Sequence, residues 1–168
     1  MNDISQHVNS IRQWLKENDL DALLIPHDDE YLSEYIPPEN ERLEWASGFT
    51  GSAGIAIITK DNATIFVDGR YTVQVKEQVD NNIYTILPLK DNPFIKWIKE
   101  NLPMGTRLGY DSRFHRTNWV KTTLKELGEQ INMIAVSENP IDILWDDRPC
   151  GNTSDKAILL NNKYTGKS

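Results

Sequence analysis

Cysteine is nearly missing from this chain. Cys150 is the only one among 168 residues, so neither an intrachain disulfide nor a cysteine-built zinc site can form within it. Long apolar runs are missing too. None approaches the roughly 18 residues needed to cross a bilayer, and the opening MNDISQHVNS has neither the basic start nor the apolar stretch of a secretory signal. These absences predict a cytoplasmic protein that does not meet a membrane. Positive charge is in deficit: 18 Lys and Arg against 25 Asp and Glu leave a formal net charge of -7. Nucleic acid is thereby disfavoured as a partner, because phosphate-backbone binding needs clustered cations that displace counterions.

The motifs that carry familiar chemistry are also wanting. His7, His27 and His115 show no H-E-x-x-H or other close ligand spacing. Gly51, Ser52, Ala53 and Gly54 lack the spacing of a G-x-S-x-G nucleophile elbow. Gly166, Lys167 and Ser168 imitate the end of a P-loop, but Asn161 stands where that loop needs its first glycine. Asp28, Asp29 and Glu30 lack the alternating ligands and glycine of a calcium loop and read as a solvated or capping turn. Gly48, Gly51 and Gly54 follow a G-x-x-G-x-x-G pattern rather than the dinucleotide G-x-G-x-x-G, and they lead into a strand rather than out of one. Their reading is structural: tight turns and close backbone approach.

What remains is an ordinary globular composition, 39% hydrophobic and 26% charged, with no internal repeat. The length suits one domain with a substantial core. Asp3 and Gln6 form a capping-box pattern, after which Ile4, Val8, Ile11 and Leu15 recur at helical spacing. Ala22 to Ile25 is a short continuous apolar run ended by Pro26, the pattern of a central strand buried on both faces. Ile55–Thr59 and Thr64–Val67 flank Lys60, Asp61 and Asn62, predicting a hairpin whose Asp and Asn tolerate positive backbone angles. Tyr71, Val75 and Val79 predict a helix and Ile83–Leu87 a strand. Asn92 and Pro93 start a helix with Phe94, Trp97 and Ile98 on its buried face. Arg107–Tyr110 reads as a strand, Thr117 as the cap of a helix burying Val120, Leu124 and Leu127, and Ile131–Val136 as the last strand.

Helices alternating with strands around one hairpin predict an α/β fold: a mixed sheet of about six strands with helices on both faces. After Trp145 the chain turns polar and turn-prone, which sets a domain at residues 1–149 and the start of a linker at 150–168. Trp14, Trp45, Trp97, Trp119 and Trp145 are many for this length. Most belong to the core, while exposure of Trp45 or Trp145 would mark an interface.

Several separated segments then carry a resemblance: Ile25-Pro26, Asp29, Ser33-Glu34-Tyr35, Arg42, the Ser47 to Gly54 loop, Asp68-Gly69-Arg70-Tyr71, Leu108-Gly109-Tyr110-Asp111, and Asn139 through Pro149 with Trp145 and Arg148. Together they resemble the amino-terminal, creatinase-like domain of Xaa-Pro aminopeptidases, over about residues 1 to 149. One departure is Tyr31, where the family pattern usually has histidine.

The resemblance implies a noncatalytic domain of a metallopeptidase that releases the residue preceding proline. The catalytic residues and two divalent metal ions, commonly manganese, would belong to a following catalytic domain of the same polypeptide, and this chain would bind no metal. Its implied contribution is to shape the substrate cleft for peptides with proline in second position, or to support domain contacts or a homodimer. Candidate cleft or interface residues are Arg70, Tyr71, Asp68, Trp45 and Glu34. Arg70 is expected to ion-pair with Asp68 or Glu34, or to face a carboxylate across the cleft. A free-standing binding or assembly module is the alternative.

Overall fold

The computed structural model describes residues 4–90, 93–151, 156 and 158–166. In chain order its elements are α1 (Ile4–Glu17), β1 (Ala22–Pro26), α2 (Arg42–Ser47), β2 (Gly54–Thr59), β3 (Ala63–Val67), α3 (Gln74–Gln78), β4 (Thr85–Pro88), α4 (Pro93–Asn101), β5 (Thr106–Tyr110), α5 (Thr117–Leu127), β6 (Ile131–Ala135), α6 (Pro140–Leu144) and α7 (Asn162–Thr165). The strands form one mixed sheet in the order β4-β3-β2-β1-β5-β6. The predicted α/β class, strand number and two-sided cover all hold.

Alternation along the strands divides the core. In β1, Leu23 and Ile25 face one apolar layer with Val8, Ile11 and Leu15 of α1, Leu43 of α2 and Ile141 of α6. Ala22 and Leu24 face the other, with Phe94 and Ile98 of α4 and Leu127 of α5. All five residues of β1 are buried, as an interior strand covered on both faces requires.

Several local expectations are revised. The hairpin joins β2 to β3 as foreseen, but its turn uses no positive φ, since Asp19 and Leu32 alone among the described non-glycine residues have one. Instead the Thr59 hydroxyl accepts hydrogen bonds from the Asp61 and Asn62 amides at 3.3 and 2.8 Å, so a side chain organises the turn. β4 starts two residues late because the Ile83 and Tyr84 amides close a turn on the Asp80 carbonyl. Thr117 is the first residue of α5 rather than its cap; Arg116 holds the cap position without a side-chain bond. The buried stripe of that helix runs through Thr123 and Leu127, leaving Leu124 43% exposed. The short helices α6 and α7 were not foreseen. Asp3 and Asn92, read as helix starts, lie outside the described residues.

Candidate functional site

β1, β3, β4, β5 and β6 all run one way, and β2 alone runs against them. The segments leaving five strands, together with the one entering β2, therefore gather at a single end of the sheet. In open α/β sheets this carboxyl end is where ligands sit. Main-chain bonds stitch the end together: His27 N–H donates to the Gly54 carbonyl at 3.1 Å, Asp68 N–H to Ala53 at 3.1 Å, and Val136 N–H to Tyr110 at 2.9 Å.

Four of the five sequence-nominated residues lie here. Asp68 caps the 3-10 turn Gly69–Tyr71 by accepting from the Arg70 amide, and its carboxylate also takes the Arg70 Nε–H at 2.8 Å. Both hydrogen bonds hold the Asp68 carboxyl below its ordinary pKa. Arg70 lies over the Tyr71 ring at 5.2 Å and is 68% exposed. The Tyr71 hydroxyl meets Ser52 Oγ at 2.6 Å, and its ring stands edge-on to Phe49 at 5.6 Å. A Cβ on Gly51 would fall 2.3 Å from the Phe49 ring and 2.9 Å from Tyr71, so only glycine fits there. Gly48, with φ of 80°, ends α2 in the left-handed region. Glu34 is exposed and has no ion pair among the described residues. It sits on the segment after β1, and Arg70 on the segment after β3, so their strands lie two spacings, roughly 10 Å, apart.

Trp45 belongs elsewhere. It is 4% exposed, stacks on His7 with centroids 4.0 Å apart and lies 6.2 Å from Trp145.

The structure also assembles a polar network to which the sequence reading gave no role. Arg42, 2% exposed, grips Asp142 with two hydrogen bonds, from Nε at 2.6 Å and from a terminal nitrogen at 3.1 Å. Its guanidinium lies 4.5 Å over the Phe114 ring. Arg148 joins Asp142 at 3.0 Å and donates to the Glu39 carbonyl at 2.6 Å and to Asn40 at 3.1 Å. Arg113 donates to Asp111 at 2.6 Å, and Asn139 donates to the same carboxylate at 3.1 Å. Burial would push the Asp111 carboxyl up, but these hydrogen bonds outweigh it and hold it low. Of the two readings of the Asp28 to Glu30 turn, Asp29 fits the capping one and not the solvated one. It is fully buried and accepts from the Tyr31 and Ser33 amides at 3.0 and 2.9 Å. Arg42, Asp142 and Arg148 are separated by up to about a hundred positions in the chain, so periodicity carries no signal for their meeting. Their one trace in the sequence is that Arg42, Asp111, Asn139 and Arg148 all fall within the segments that carry the resemblance.

Beside this network a second titratable group is strained by its surroundings. His27 Nδ1 and the Glu41 carboxylate stand 3.7 Å apart, too far for a hydrogen bond. Burial, then the charges of Glu44 and Asp29, push the Glu41 carboxyl up to about 7. Burial pushes His27 down, against the pull of Asp28 and Asp29.

A sequence profile of the Creatinase/Prolidase N-terminal domain family matches residues 7–144. The chain belongs to that family. It is 35% identical over 99% of its length to a "Probable Xaa-Pro aminopeptidase P" of Paracoccidioides brasiliensis (strain Pb03), covering 27% of that protein. It is 28% identical over 96% of its length to Xaa-Pro aminopeptidase 2 of Homo sapiens, covering 24% of it. Among solved structures, the X-prolyl aminopeptidase of Caenorhabditis elegans, a cytosolic enzyme with a di-nuclear active site, superposes with a TM-score of 0.81 at 25% identity, over 88% of this chain and 26% of that one. The N-terminal domain of the peptidase PepQ of Mycobacterium tuberculosis superposes at 0.64 and 20% identity, over 83% and 98% of the two chains.

This creatinase/prolidase N-terminal domain thus spans about a quarter of the length of those aminopeptidases. Among its described residues no group of three or more His, Cys, Asp or Glu side chains is placed to hold a metal ion. A di-nuclear centre does not fit this residue set, and no step of metal-assisted hydrolysis is assigned to it. Among the described residues, no helix is long and apolar enough to cross a membrane.

Proposed function

We propose that this chain is the noncatalytic amino-terminal domain of a cytoplasmic, metal-dependent Xaa-Pro aminopeptidase, helping to shape the cleft that admits peptides with proline in second position. The observation that carries this reading is its likeness, over nearly its whole length, to one quarter of proteins named as such peptidases. In this reading two divalent metal ions, manganese in the first instance, are held by a catalytic domain of the same polypeptide. Residues 1–149 are the domain and 150–168 begin the linker. The exposed Ile158, Leu159 and Leu160, at 85%, 97% and 65%, favour a tail whose apolar side chains are covered by the catalytic domain or by a second copy.

Arg70 is the side chain best placed to act outward. Asp68 fixes its Nε while the head remains exposed, an arrangement suited to a carboxylate on a neighbouring domain or peptide. Tyr71 and Ser52 brace that turn. Glu34, also exposed at this end of the sheet, is available to the same partner.

The test compares this chain with a form extended by its downstream reading frame, on an Xaa-Pro peptide with manganese. Turnover is expected only from the extended form, and turnover by the purified 168-residue chain refutes the reading. In the extended form, Arg70→Ala is expected to raise KM or lower kcat while leaving the melting temperature unchanged. A lower melting temperature with intact kinetics would assign Arg70 to the fold alone.

A further inference from the structure

The turns after β1 and β5 line an open pocket of about 280 Å³ at the carboxyl end of the sheet. One wall is aromatic. His115 stacks on Trp119 with centroids 4.1 Å apart, and Phe114 and Leu32 complete the apolar surface. Leu32 holds φ at 53°, a left-handed conformation that costs a non-glycine residue energy and recurs where a loop is shaped for binding.

Two opposite charges face this cavity without meeting. Arg42, Arg70, Arg107, Arg113 and Arg148 all have a carboxylate partner, and Arg12 donates to the Thr59 carbonyl. Arg116 has no ion pair or side-chain hydrogen bond among the described residues, although the chain carries more acids than bases. Asp28 shares the lining with it, yet the two form no ion pair. Asp28 is exposed at the rim, but the protein on its inner side and the charge of Asp29 push its carboxyl up, and His27 and Arg116 only partly offset that. Asp28 is thus a carboxylate that a further cation would stabilise. His115 Nε2 is buried with no partner, and burial holds this imidazole neutral by pushing its pKa down to about 4. It adds apolar surface without adding charge.

A pocket of this size lies just below the roughly 300–1,000 Å³ typical of small-ligand sites. It is too small for a nucleotide or a folded peptide and suits a molecule of one residue. The pairing of an aromatic wall with a separated anion and cation selects a molecule that is apolar at one end and dipolar at the other.

We propose that this cavity binds a free apolar α-amino acid as its zwitterion, with the ammonium group toward Asp28, the carboxylate toward Arg116 and the side chain against Phe114, His115 and Trp119. The site lies wholly within this chain and does not depend on the peptidase reading.

The experiment titrates the 168-residue chain with L-leucine, followed by amide chemical shifts and by calorimetry. Saturable shifts confined to residues 28–32, 55 and 114–119 are expected, with a dissociation constant at or below the millimolar range. N-acetyl-L-leucine loses the ammonium and L-leucinamide the carboxylate, so each binds at least about tenfold more weakly, the loss expected for one charge-assisted contact. Asp28→Asn and Arg116→Ala each weaken L-leucine at least about tenfold, with thermal melts that match the parent because both side chains are on the exposed rim. Absence of saturable shifts up to roughly 20 mM, equal binding of either blocked form, or unchanged affinity in both variants overturns the proposal.

Discussion

Replacing Arg42 by alanine removes the hub of the buried polar network, and the structure sets the size of the effect. Breaking a buried ion pair by removing one partner costs about 3–5 kcal/mol, because the other charge is left desolvated and uncompensated. Here the survivor, Asp142, is 22% exposed and keeps Arg148 at 3.0 Å and Arg113 at 3.6 Å, which places the loss near the lower bound. The Phe114 ring also loses the cation at 4.5 Å, and Glu30, 3.5 Å from the guanidinium, loses its only ion-pair partner among the described residues. The expected cost is about 3 kcal/mol, which for a domain of this size lowers the melting temperature by roughly 6–12 °C.

Asp142→Ala is expected to cost at least as much. It leaves Arg42, at 2% exposure, with no carboxylate but Glu30 at 3.5 Å, whereas Arg113 keeps Asp111 and Arg148 keeps Glu39 and Asn40. Arg42→Lys should not restore stability, since an ammonium cannot reproduce the two-pronged contact. Differential scanning calorimetry of the three variants, with the double variant closing a thermodynamic cycle, decides the matter. A melting temperature for Arg42→Ala within about 2 °C of the parent would falsify the claim that this network fastens α2 to α6.

Glu41 supplies a pH test. Its folded-state pKa is raised from 4.5 to about 7 by burial and by Glu44 and Asp29, so the folded state holds a proton that the unfolded state has released. Stability contributed by this group is therefore present below pH 4.5, lost as pH rises toward 7, and constant beyond. Glu41→Gln should gain stability relative to the parent across that window, and a difference that stays flat from about pH 4.5 to 7.5 in denaturant melts sinks the assignment. Gly51→Ala should lower stability by about 1–3 kcal/mol through overpacking against Phe49 and Tyr71, read as a shifted urea midpoint with an unchanged slope. Tyr84→Phe deletes a buried hydrogen bond of 2.8 Å to the Ala46 carbonyl and should cost about 1–2 kcal/mol, with the Ala46 region losing hydrogen-exchange protection first.

Much of this fold was legible in order. The central strand could be read because Ala22 to Ile25 are apolar without alternation, and only a strand covered on both faces tolerates that. The hairpin could be read because two strand-like runs flank three polar residues, but its turn chemistry was misjudged: the Thr59 hydroxyl does locally what a positive φ was expected to do. The stripe of α5 held at Val120 and Leu127 and missed at one position: Thr123 is buried where Leu124 was expected. Asp68 and Arg70 could be paired from sequence because they are two residues apart in one turn. Arg42, Asp142 and Arg148 could not, because no local pattern records a contact across a hundred residues.

The chain by itself determined the alternation of helices and strands and the glycine-laced loop, because those properties are set by neighbours three or four positions away. Tertiary structure alone decided which charges are buried together, which arginine goes without an ion pair among the described residues, and which loops share one end of the sheet. Charge pairing over such separations is fixed only when strand order and direction bring distant segments within a few ångströms, where desolvation makes each pairing count.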